Sequence, residues 1–96
     1  MDLATLKSSL AAETPPAGLS PCLTALWLAA RDNWDGAHKV VQEEKDEDAA
    51  WVHAYLHRVE GDLSNAGYWY RRAQREPATG ALEAEWEEIA GALLSR

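Results

Sequence analysis

Shifted by 29 residues, the chain matches itself: "ALWLAARDNWDGAHKVVQ" aligns with "AYLHRVEGDLSNAGYWYR". Ala25 meets Ala54, Asp32 meets Gly61, Trp34 meets Leu63, Ala37 meets Ala66 and Val41 meets Tyr70. Small residues on facing helices let two backbones approach, and a bulky residue four positions later covers the seam. A unit recurring at this spacing is a helical hairpin, which cannot bury its apolar face alone and stacks on a neighbour. The expected architecture is therefore all-α: one domain over residues 1–96, with hairpins at about 22–48 and 51–77 and a capping helix over 80–95.

Helix signals divide the chain into six pieces. Leu3, Leu6 and Leu10 form the stripe of a first amphipathic helix, and "ETPPAGLSP" breaks it because two prolines and a glycine cannot continue a helix. Ser20 followed by Pro21 opens a second, nearly all-apolar helix. Asp32 or Asn33 caps a third helix through Trp34, Ala37, Val40 and Val41. The acidic run "QEEKDEDAA" reads as a solvated connector, and Asp46 or Asp48 starts the fourth helix. Gly61 ends that helix, Asp62 caps a fifth running to Pro77, and Thr79 caps a sixth. In the sixth, Leu82, Trp86, Ile89 and Leu93 make the apolar stripe and Glu83, Glu85, Glu87 and Glu88 the wet face. No stretch alternates with period two.

Composition bounds the class of partner. A net charge of −7 repels phosphate backbones and anionic lipid, so neither nucleic acid nor a membrane is expected. The one cysteine, Cys22, reads as a small buried hydrophobe in a reducing compartment, and the expected location is cytoplasmic. Five Trp and three Tyr with no Phe favour rings whose polar tips reach water or a partner.

The passage "HAYLHRVEGDLSNAGYWYRR", residues 53–72, carries the candidate site. On the fourth helix, Trp51, Val52, Tyr55, Leu56 and Val59 share an apolar arc, with His53, His57 and Glu60 on the other side. On the fifth, Leu63, Ala66, Trp69, Tyr70 and Ala73 form the buried arc, and Asn65, Tyr68 and Arg72 line up outside it. His53 and His57 at i, i+4 can hold one zinc, with Glu60 as ligand or base. The glutamate of an H-E-x-x-H motif is absent, however, and no cysteine or third histidine is expected nearby. His38, on the third helix, reads as a solvated flank residue. No metal and no cofactor are expected, and with no nucleophile elbow or phosphate loop the chain leans away from catalysis.

In the second hairpin, Gly61, Ala66, Tyr70 and Ala73 have the spacing of the turn glycine, small residue, aromatic and second alanine of a tetratricopeptide motif, and Ala54 matches its small first-helix position. The chain resembles that family over roughly residues 22–77. It differs in its period of 29 against about 34, and in lacking the Leu-Gly…Tyr pattern. The string "HAYLHRVEGDLSNAGYWYRRA" is also similar to one in small bacterial proteins of unknown function. The tetratricopeptide resemblance implies stacked antiparallel hairpins. Aromatic and arginine residues are the composition of binding hot spots. The expected function is a non-enzymatic module that binds a protein or peptide, an acidic segment in particular, through His53, His57, Glu60, Asn65, Tyr68 and Arg72. Residues 51–77 carry a net +1 while the rest of the chain carries −8, which favours an acidic partner. The alternatives are a homodimer formed through the sixth helix and, third, a histidine-based metal or enzyme site.

Overall fold

The computed structural model describes all 96 residues and contains six helices and no strand. These are α1 (Leu3–Ser9), α2 (Pro21–Ala30), α3 (Trp34–Gln42), α4 (Glu47–Val59), α5 (Leu63–Arg72) and α6 (Leu82–Leu94). None is long and apolar enough to cross a membrane. Side-chain caps set five of the six starts: Asp2, Ser20, Asn33, Asp46 and Asp62 each accept a backbone N–H from three residues on. Helix α6 begins at Leu82 with no side-chain cap, so the start expected at Thr79 is replaced by an extended connector. Helix α5 ends at Arg72, before Pro77, because Gln74 turns left-handed (φ 59°) and Arg75 N–H closes on the Tyr70 carbonyl at 3.0 Å.

The turns between α2 and α3 and between α4 and α5 close in the same way at the 29-residue offset. Asp32 and Gly61 both have positive φ (61° and 86°). Asn33 N–H donates to Leu28 O and Asp62 N–H to His57 O, each at 2.9 Å. Asn33 and Asp62 then cap the next helix through Gly36 N–H and Asn65 N–H. Such a closing bond ends one helix and caps the next within three residues, which forces a tight antiparallel return.

Helix α4 is the centre. It packs against α2, α3, α5 and α6, and every residue from Ala49 to His57 is buried. The sequence reading placed its histidines on the side away from the apolar arc. In the structure α3 covers that side, so His53 and His57 are only 6% exposed. Two apolar residues go the other way: Val59 and Leu63, read as parts of buried arcs, are 40% and 69% exposed. They stand at the α4–α5 turn, which no further helix covers.

Indole N–H groups tie the layers together. Trp27 donates to Ser9 Oγ (3.0 Å), Trp34 to the Leu56 carbonyl (2.7 Å) and Trp86 to the Leu26 carbonyl (2.8 Å). The stripe of α6 is consumed inside the chain, with Trp86, Ile89 and Leu93 all buried. Glu85, expected to be wet, is 3% exposed. It accepts from Arg58 Nη1 at 2.9 Å and from the Tyr70 hydroxyl, so one buried carboxylate joins α4, α5 and α6. Burial, then the hydrogen bond to Glu85, pushes the Tyr70 hydroxyl well above the ordinary phenol range.

Two stability measurements follow. Ala54 and Ala66 are closed off on the paired helices α4 and α5, so Ala66→Leu should lower unfolding free energy by about 1–3 kcal/mol. Glu85→Ala leaves Arg58 and Tyr70 without their partner and should cost about 3–5 kcal/mol, while exposed Glu83→Ala should stay within about 0.5 kcal/mol. Equal denaturation midpoints for the two glutamate variants would place Glu85 outside any such network.

Candidate functional site

The site is assembled by two contacts on α4. Trp34, the first residue of α3, pins that helix down through its bond to Leu56 O, which brings His38, one turn later, against α4. There the Trp34 ring stacks on His38 (centroids 4.8 Å apart, 10° between planes). His38 Nε2 lies 2.9 Å from His53 Nε2. From the opposite side, α5 lays Trp69 flat on His53 at 3.9 Å and 7°. His57, one turn along α4, stacks on His53 at 5.0 Å and meets His38 edge-on at 5.4 Å. Three imidazoles are thus clamped between two indoles.

This corrects two sequence expectations. His38 is half-buried within the cluster, not solvated, and a third histidine does stand beside the His53–His57 pair. The i, i+4 pairing of Trp34 with His38, next to Ala37 and Val41, was the available signal. Chain order alone does not say which helix meets that flank.

The outer edge of the cluster is polar. Glu60 Oε1 is 2.6 Å from His57 Nδ1. With Glu60 accepting the Nδ1 proton, the Asn65 amide nitrogen, 3.5 Å from the same atom, is a neighbour and not a second strong bond. His57 and Glu60 make a base with its orienting acid, yet no hydroxyl or thiol hydrogen-bonds to either. Cys22 is buried in the core and its thiol is pushed up to about 12, chiefly by desolvation.

Of the six residues singled out from sequence, His53, His57, Glu60 and Asn65 come together here. Tyr68 and Arg72 do not join them. Trp69 stands between: one face covers His53, while Tyr68 meets its ring edge-on at 5.2 Å. Arg72 donates to the Tyr68 hydroxyl at 3.1 Å and lies 5.4 Å from the Trp69 ring centre. This second group is open to solvent, with Tyr68 44% exposed. Neither Arg71 nor Arg75 pairs with an acid of α6: Glu85 holds Arg58, and the Arg75 guanidinium covers the Trp51 ring at 3.4 Å.

Desolvation, then repulsion from His38 and His57, pushes His53 down to about 4. His38 is lowered too, by burial and then by His57, with Glu60 and Asp35 opposing. At neutral pH His53 is an uncharged ring sharing one proton with His38. Its folded value lies below the ordinary 6.5, so the unfolded chain binds protons more readily. The resulting stability is fully present above about pH 6.5 and is lost as the pH falls toward 4. In chelator-treated protein, unfolding free energy should be about 2 kcal/mol lower near pH 5 than near pH 7. His53→Gln should flatten this slope in chemical denaturation; an unchanged slope would mean that His53 takes up its proton freely in the fold.

Compared with known proteins, the chain matches no family model, no curated protein and no solved structure.

Proposed function

We propose that this protein is a non-enzymatic, tetratricopeptide-like binding module that receives a segment of another protein on the face of α5. The observation that carries this reading is the Tyr68–Arg72 pair. Both side chains are exposed, and their only mutual anchor is one hydrogen bond and a ring contact. Arg72 makes no ion pair within the chain. A flat aromatic beside an unneutralised guanidinium offers a stacking surface and a planar fork for a carboxylate. The cleft beside Arg72 has Glu44, Lys45, Asp46 and Glu47 on its other wall, a side that is acidic on balance. The fitting segment therefore offers a carboxylate to Arg72 and a basic group to the α3–α4 connector.

Self-association through α6 is less favoured, because its stripe already packs within the chain. Nucleic acid and anionic lipid fit poorly with a net charge of −7, and a cytoplasmic place is supported by a lone, buried cysteine.

The test is capture from a lysate of the source cells with wild type, Arg72→Glu and Tyr68→Ala as baits. A partner held by wild type should be lost from both variants and weakened by salt. Melting should barely move, because exposed substitutions of this kind change stability by about 0.5 kcal/mol or less. Partners retained equally by all three baits would sink the proposal.

A further inference from the structure

We propose that His38, His53 and His57 form a binding site for a divalent transition-metal ion, with zinc as the ion of choice. The three residues come from two helices, and one ligand-type nitrogen from each lies within 4.8 Å of the others. In a tetrahedral zinc site with metal–nitrogen bonds of about 2.0–2.1 Å, ligand nitrogens stand about 3.3 Å apart. The 2.9 Å between His38 Nε2 and His53 Nε2 opens to that value with a few tenths of an ångström of movement. Imidazole suits zinc and its first-row neighbours; zinc adds no redox demand and accepts distorted geometry.

The surroundings are those of a ligand set held in orientation. Glu60 engages Nδ1 of His57, which selects the tautomer that leaves Nε2 for a metal, as a carboxylate behind a metal-bound histidine does. Trp34 and Trp69 hold the planes of His38 and His53 by stacking. His38, the half-buried member, provides the way in, while His53 and His57 sit behind it. Three protein ligands leave a fourth coordination position to water or to a group from a bound partner.

Glu60 and Asp62 form a second ligand-type group with His57, but both carboxylates are exposed and Asp62 already caps α5 through Asn65 N–H. The three-histidine set is the one with a built interior. None of its three ligands belongs to the Tyr68–Arg72 pair of the docking face, so either reading can fail without the other.

The experiment is a zinc titration of the chelator-treated full chain by calorimetry, repeated with Co²⁺ to read coordination from its visible absorption. Wild type should bind one zinc per chain, and long-range ¹H–¹⁵N spectra should show the side-chain nitrogens of His38, His53 and His57 shifting together. His38→Gln should weaken zinc binding at least tenfold, because a bare His53–His57 pair is a much poorer chelator. Glu60→Gln should keep the stoichiometry and weaken binding by about 10–100-fold. Absence of stoichiometric binding in wild type overturns the proposal without recourse to any variant. So does zinc that shifts His53 and His57 but leaves His38 unmoved, and so does full affinity in a folded His38→Gln protein.

Discussion

Helix α4 has no solvated face along its buried length, and a helix enclosed on every side must find a protein partner for each polar side chain it carries. His53 and His57 are therefore the constraint from which the rest follows. So little of either ring reaches water that the protein must meet most of this need: α3 supplies His38 to His53, and the C-cap of α4 supplies Glu60 to His57. The charged form of His53 is penalised by the same burial, which is why it stays neutral far below its ordinary range. Packing and chemistry have one cause here. The helix that organises the core also gathers the only cluster of imidazoles in the chain.

Another face of α4 solves the same problem with charge. Arg58 would be stranded near the core without Glu85, and Glu85 without Arg58 and Tyr70. A buried ion pair adds little net stability, since desolvation offsets most of the attraction, but a missing member is costly. Such a group acts as a registration device. Helix α6 has no side-chain cap and a long connector before it, and the bond from Glu85 to Tyr70 and Arg58 sets how it lies across the α4–α5 hairpin. Arg58 also donates to the Gly80 carbonyl, holding the connector itself.

Trp69 joins the interior cluster to the open surface. Its face seals His53, and its edge and outer side support Tyr68 and Arg72. The buried histidines and the exposed tyrosine–arginine pair are therefore neighbours across a single indole. A ligand seated on Arg72 rests on the same ring that orders His53.

Much of the architecture was legible locally. Caps at Ser20, Asn33 and Asp62, the left-handed closure at Gly61 and the alanines of the 29-residue offset all act within one or two turns of chain. That range sufficed for the all-α class, most of the helix starts and the alternation of tight turns. Local pattern failed wherever a residue's environment depends on a helix distant in sequence. Glu85 reads as solvent-facing because its neighbours Glu83 and Glu88 are, and only the approach of Arg58 and Tyr70 makes it a buried acid. Leu63 reads as core because its spacing fits, yet no helix reaches the hairpin tip to cover it. His38 reads as a flank residue until α3 is laid on α4, where the Trp34–Leu56 bond sets the register and turns two histidines into three. Periodicity determines which face of a helix is apolar; only the packed structure decides what stands opposite each polar side chain, because that depends on contacts 15 to 27 residues apart in the chain.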